Sequence, residues 1–140
     1  MKFGEYPKVG SIRSVEAFQD YVGRIGIDMP CDEVVEHGSG SPLAKPLNVA
    51  GFTIGNRFAV NPMEGWDGET DGTPSPNTVR RWQRFGDSGA KLIWGGEAVA
   101  VRHDGRANPN QLILTSSTKG AIAGLRERLV VSHRQAMGDD

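Results

Sequence analysis

Asp67, Glu69 and Asp71, interleaved with Gly68 and Gly72, form the first segment whose composition suggests chemistry. Carboxylates at alternate positions are calcium-loop ligands, but here the spacing is incomplete and no closing glutamate stands at the proper offset. Arg80, Arg81 and Arg84 are the densest basic group. Their spacing sets them on the outer side of a short helix, with Val79, Trp82 and Phe85 between them, as a solvated face rather than a nucleic-acid patch. Cys31 is the only cysteine, so an internal disulfide or a cysteine-based zinc site is excluded. Asp32 and Glu33 beside it would raise a thiol pKa, which speaks against a nucleophile. His37, His103 and His133 are scattered without metal-ligand spacing and read as surface residues. No metal site is therefore expected. Glu97 reads as a buried structural acid bonded to nearby backbone amides. Trp66, Trp82 and Trp94 read as packing residues, not as a stacking platform for nucleic acid.

These residues sit in a chain of 140 residues with a net charge of -1 and 19 glycines, which fits one globular domain. No stretch of about 18 apolar residues exists, so no membrane span is expected. No apolar run follows Met1-Lys2-Phe3-Gly4-Glu5-Tyr6-Pro7, so a cleaved leader is not expected and cytoplasmic residence is.

The elements that position the candidate residues follow from periodicity and punctuation. Residues 1–41 read as an extension. In it Ser14 caps a helix with Val15, Phe18, Val22 and Ile25 on one face. His37-Gly38-Ser39-Gly40-Ser41-Pro42 is a joint. From residue 42 to 140 a second region begins. Leu47 to Asn56 reads as a hairpin turning at Ala50-Gly51. Arg57–Asn61 reads as a strand ending at Pro62, followed by a polar loop to Ser75. Ser75-Pro76 starts a helix with serine as cap and proline at its first position. Lys91–Glu97 is the next strand, apolar without alternation as in a parallel strand buried on both faces. A loop covers residues 98–114, and a last helix runs from about Ser116 to Met137 with Ile122, Leu125, Leu129 and Ala136 on one stripe. Strand, helix, strand, helix points to a parallel α/β unit whose long loops follow strands, as in a parallel barrel. Two such units cannot close a barrel.

Residues 56–114 carry a recognisable pattern. Asn56-Arg57-Phe58-Ala59-Val60-Asn61-Pro62-Met63 resembles the first barrel strand of the old yellow enzyme family. Asp71-Gly72-Thr73-Pro74 resembles that family's turn before the first helix. Ser88-Gly89-Ala90-Lys91-Leu92-Ile93 is similar to its lead into strand two. Glu97-Ala98, Asp104-Gly105-Arg106 and Asn108-Pro109-Asn110-Gln111-Leu112 resemble the loop that follows. Residues 1–41 have no counterpart in the family's common core.

The resemblance implies an N-terminal portion, about two βα units, of an eight-stranded (β/α)8 TIM barrel holding FMN at the C-terminal strand ends. It implies a flavin reduced by NADH or NADPH that passes hydride to a small-molecule electron acceptor, such as an electron-poor alkene. By position, Pro62 and Met63 would lie along the flavin ring, and Glu64 would stand near the flavin edge where relatives carry threonine or cysteine. Ala98 would let the backbone approach the pyrimidine side. Glu64 departs from the family in being acidic, and a carboxylate there lowers the flavin potential unless it is protonated or turned away. Trp94-Gly95-Gly96 replaces bulky aliphatics and thins the second strand. The family's substrate-holding pair, its proton-donating tyrosine and its phosphate loops would all lie beyond residue 140, so no catalytic residue is assigned and little activity is expected from these residues alone. A rival from another class is a non-catalytic interaction or remnant module that pairs with itself or with a complementing barrel fragment.

Overall fold

The computed structural model describes residues 6–138. The chain divides into two compact units, Met1–Ser41 and Pro42–Asp140, each described by itself.

In the first unit the helix α1 spans Val15–Arg24, and the Ser14 side chain accepts from the Ala17 N–H at 3.1 Å. Glu16 in its first turn and Arg24 in its last complement the helix dipole. Val15, Phe18, Val22 and Ile25 are its more sheltered positions, and Val22 alone among them is buried. The helical repeat predicted for this face is the one observed.

In the second unit β1 (Leu47–Val49) and β2 (Phe52–Ile54) pair antiparallel, with Leu47 opposite Ile54. Ala50 and Gly51 turn the hairpin, both with positive φ, 49° and 84°, which is the twist that a tight two-residue connection requires. β3 (Ala59–Val60) and β4 (Leu92–Ile93) pair parallel, Ala59 opposite Leu92 and Val60 opposite Ile93. Asn56 sets this register. Its Nδ2 donates to the Gly89 carbonyl at 2.9 Å, and its Oδ1 accepts from the Phe58 and Lys91 amides at 3.1 and 3.2 Å. Arg57 clasps the preceding segment, donating from its side chain to the carbonyls of Lys45 and Pro46.

Between the two strands lies α2, Pro76–Asp87, capped by Ser75 and begun by Pro76 as its sequence predicts. After the second loop comes α3, Lys119–Met137. The helices pack against each other at Gly86, where a Cβ would run into the Leu129 carbonyl and stand 3.0 Å from the His133 amide nitrogen. Trp82, Leu112 and Leu125 form the core, with Val79, Phe85, Val99 and Leu129 packed around them.

The architecture is mixed helix and sheet, compatible with α/β: the described residues form two two-stranded sheets and no barrel. Several expectations are corrected. The strand expected over Arg57–Asn61 is regular only at Ala59–Val60, and that expected over Lys91–Glu97 only at Leu92–Ile93. Gly95 and Gly96 have φ of 74° and 66°, and left-handed backbone cannot continue an extended ladder. The last helix begins at Lys119 instead of Ser116. The Thr115 and Thr118 hydroxyls bond each other at 3.0 Å and each accepts the other's amide, closing a turn instead. Ala136, expected on the inner stripe, is exposed, while Ser132 is buried. Trp66 and Trp94, expected to pack, are 71% and 66% exposed. His133, expected at the surface, is half-buried, with Nδ1 3.1 Å from the Gly86 carbonyl and Nε2 3.3 Å from Lys91 Nζ. A carbonyl can only accept and an ammonium only donate, so these partners place the ring proton on Nδ1. Among the described residues no helix is long and apolar enough to cross a membrane.

Candidate functional site

Parallel pairing sets the C-terminal ends of β3 and β4 side by side, so the loops after them face each other. Met63 and Glu97 form an isolated parallel bridge, and the Ala98 amide donates to the Met63 carbonyl at 3.0 Å. Pro62, Met63, Glu64 and Ala98 thus gather at one end of the sheet. The Pro62 side chain lies within ordinary contact of Gly95, since a Cβ built on that glycine would be 3.7 Å from Pro62 Cβ. Beside Met63 opens a cleft of about 470 Å³, mostly apolar, walled by Val60, Met63, Gly65, Trp66 and Phe85, with Asn61, Glu64, Asp67 and Arg81 as its polar lining. Met63 is 71% exposed there.

Two of the four residues are occupied by other parts of the chain. Glu64 accepts at its Oε1 from Asn108 Nδ2 at 2.7 Å, and the same amide group donates to the Gly65 carbonyl at 3.0 Å. The acid is therefore drawn toward the second loop. The Ala98 amide is spent on Met63, and its carbonyl accepts from Gln111 Nε2 at 2.9 Å.

The residues 104–112 that carry the sequence pattern are loop locks. Arg106 donates to the carbonyls of Thr70 at 2.9 Å and of Pro109 and Gln111 at 2.5 and 2.6 Å. Asn110 Nδ2 donates to the Gly68 carbonyl at 2.7 Å, and the Gly68 amide answers to the Asn110 carbonyl at 3.0 Å. The Ala107 amide donates to Gln111 Oε1 at 2.7 Å. Side chains here saturate backbone groups that would otherwise be buried without partners.

Asp67 and Arg81 in the cleft wall belong, with Glu97 beneath them, to an ion cluster that was not legible in the sequence. Arg81 Nη2 donates to Asp67 Oδ1 at 2.5 Å and Nε to Asp67 Oδ2 at 3.3 Å, a two-pronged pairing. The same Nη2 donates to Glu97 Oε2 at 3.0 Å, and the Trp82 indole N–H reaches that oxygen at 3.3 Å. The Glu97 side chain is 0% exposed, and its Oε1 has no hydrogen-bond partner among the described residues. Arg81 is thus corrected from a solvated helix face to a half-buried hub, whereas Arg80 and Arg84 do face solvent. At 100° per residue Arg81 flanks the stripe of Thr78, Trp82 and Phe85, and that wheel position was the available signal. Glu97 is buried as expected, but its partners are side chains instead of backbone amides.

Burial pushes the Glu97 carboxyl above its ordinary range, with Arg81 and Trp82 pulling the other way. Burial also works against ionisation of Asp67, but the Arg81 hydrogen bond and charge, with the Thr78 hydroxyl, outweigh it and hold that carboxyl below its ordinary range. For Arg81, burial is outweighed by the Asp67 bond and the Glu97 charge, which raise its pKa further. Two of the three acids whose spacing falls short of a calcium loop have other engagements: Asp67 turns to Arg81 and Thr78, and Asp71 accepts from the Thr73 amide and hydroxyl at 2.9 and 2.6 Å.

No protein-family model matches the chain, and no curated protein matches it.

Proposed function

We propose that the second unit forms one wall of an FMN site in an oxidoreductase that draws hydride from NADH or NADPH and delivers it, through the flavin, to a small-molecule acceptor. One observation supports this above the others. Residues that the resemblance to old yellow enzymes assigns to the flavin, Met63 and Ala98, come from loops far apart in sequence and share a backbone hydrogen bond of 3.0 Å. The adjoining cleft of about 470 Å³ falls within the ~300–1,000 Å³ of small-molecule sites. Its fit to FMN is partial. Met63 and Trp66 offer an apolar surface for one ring face, while Asp67 and Glu64, the latter bonded to Asn108, put two acids in the same lining. Arg81, the cation lining the cleft, is committed to Asp67 and Glu97, so it is no phosphate holder. Bound FMN would supply the hydride chemistry, while these residues would hold and shield one side of the ring.

Titration of the full chain with FMN, followed by amide chemical shifts, tests the reading. Weak saturable binding is expected, with shifts centred on Met63 and Ala98 and abolished by Met63→Asp. Unmoved amides at both positions at the highest FMN concentration would remove the support for a flavin wall.

A second reading rests on the exposure of Met63, Trp66 and Trp94, 66% or more in each case. Apolar side chains left open in this way favour association of the chain with itself, or with a complementing barrel fragment, without activity. Sedimentation velocity distinguishes the two outcomes. A dimer dispersed by Trp94→Ser supports association, and a monomer at high concentration argues against self-pairing.

A further inference from the structure

The ion cluster in the cleft wall joins three elements through one cation. Arg81 comes from α2, Asp67 from the loop after β3, and Glu97 from the segment after β4. Two carboxylates on one guanidinium leave a net negative charge in a poorly solvated place if both ionise. The geometry separates their roles. Asp67 is 31% exposed at its side chain and accepts from Arg81 Nη2 and Nε and from the Thr78 hydroxyl at 3.1 Å. It is built to carry charge. Glu97 is fully enclosed, and both of its donors, Arg81 and Trp82, fall on Oε2. Its Oε1 receives nothing among the described residues. A charge there would be buried with one oxygen undressed, which costs far more than a neutral hydroxyl lacking one bond.

The backbone of Gly65 lies against Oε1. There is no room for a side chain at that position, because any Cβ would overlap Oε1 and lie 2.8 Å from Arg81 Nη2. The same glycine lines the cleft. The enclosed oxygen is thus covered by the stretch of backbone between Met63 and Asp67.

We infer that the Asp67–Arg81–Glu97 cluster holds one proton, on Oε1 of Glu97, and that loss of this proton frees the Gly65 backbone and opens that wall of the cleft. The described charged groups facing Glu97 are Arg81 from α2 and Asp67 from the loop after β3. Arg81 favours the ionised form and Asp67 the protonated one, and burial decides between them. Water reaching an ionised Oε1 must pass Gly65, and hydration of the charge drives that displacement. The device is independent of any flavin, since it uses only groups of this chain.

Trp82 is the natural reporter, as its indole donates to Glu97. In the full chain carrying Trp66→Phe and Trp94→Phe, Trp82 emission followed from about pH 4 to about pH 9 should show one step to longer wavelength, above the ordinary carboxylate range. Adding Glu97→Gln, which keeps shape and neutrality, should abolish that step while far-UV circular dichroism stays constant. In the unsubstituted chain, the ¹³C resonance of the Glu97 carboxyl should keep its protonated position to a higher pH than those of the exposed glutamates. Flat Trp82 emission, a step surviving Glu97→Gln, or a Glu97 carboxyl ionising with the exposed glutamates would each overturn the inference.

Discussion

The first unit and the paired loops of the second differ in what orders them. In the described part of the first unit, Val22 is the single buried residue, and α1 rests on a local cap, its dipole charges and one apolar face. Residues 64–75 and 96–118 have almost no regular structure, yet Leu112 and Ile113 there are fully buried, Arg106, Asn108 and Asn110 bond backbone carbonyls of the other loop, and Gln111 bonds one of its own. Regular secondary structure is thus a poor guide to where this molecule is held tightly. A polar loop composition, usually a sign of solvation, here marks internal bonding.

Truncating the centre of the loop region tests this difference most severely. Leu112→Ala removes a side chain at 0% exposure and should cost about 2–5 kcal/mol in urea unfolding. Loss of a comparable amount of stability from any exposed position of α1 would break the comparison.

The ion cluster comes next. Glu97→Ala leaves Arg81 to Asp67 alone, strands the buried Trp82 indole and empties an enclosed site, and should destabilise by about 3 kcal/mol, while Glu97→Gln should cost about 1 kcal/mol or less. The pH dependence has a defined sign. The folded pKa of Glu97 is raised above its ordinary 4.5, so its contribution is fully present below that value and is lost as pH rises through the folded one. Asp67 is lowered from its ordinary 3.8, so its contribution is present above that value and is lost as pH falls through the folded one. Urea midpoints across pH should therefore decline above about 4.5 in the parent chain and less so in Glu97→Gln.

The two serine caps sharpen the comparison at smaller amplitude. Ser75 is buried, accepts from the Asn77 and Thr78 amides at 3.2 and 3.3 Å, and donates to the Asp67 carbonyl. Ser14 is exposed and accepts one amide. Ser75→Ala should cost about 2 kcal/mol, and Ser14→Ala about 0.5–1 kcal/mol confined to α1. Equal losses would mean that the tertiary bonds of Ser75 contribute nothing beyond the cap. Smallest of all, Ala50→Gly relieves a left-handed alanine in an exposed turn and should stabilise the hairpin by up to about 1 kcal/mol, readable from amide exchange of Val49 and Phe52, the pair that flanks the turn.

Short-range physics made much of the framework legible. Ser14 and Ser75 announced their helices because an N-cap acts within one turn, and Ala50-Gly51 announced the hairpin because two residues suffice to reverse the chain. The arrangement βαβ and the gathering of Met63 and Ala98 at the strand ends follow from parallel pairing, which the order of elements already favoured. Strand lengths were overestimated at Trp94-Gly95-Gly96, where a flanking apolar run masked two left-handed glycines.

Sequence alone therefore determined the caps, the turn and the periodic faces, since each depends on neighbours a few residues away. The tertiary structure decided that Arg81 leaves its solvated row to bind Asp67 and Glu97, which lie 14 and 16 residues away in the chain. It also decided that Glu64 turns to Asn108 and that Trp66 and Trp94 stay open. Charge pairing and burial depend on distances in space, and only once β3 and β4 are side by side do those distances exist.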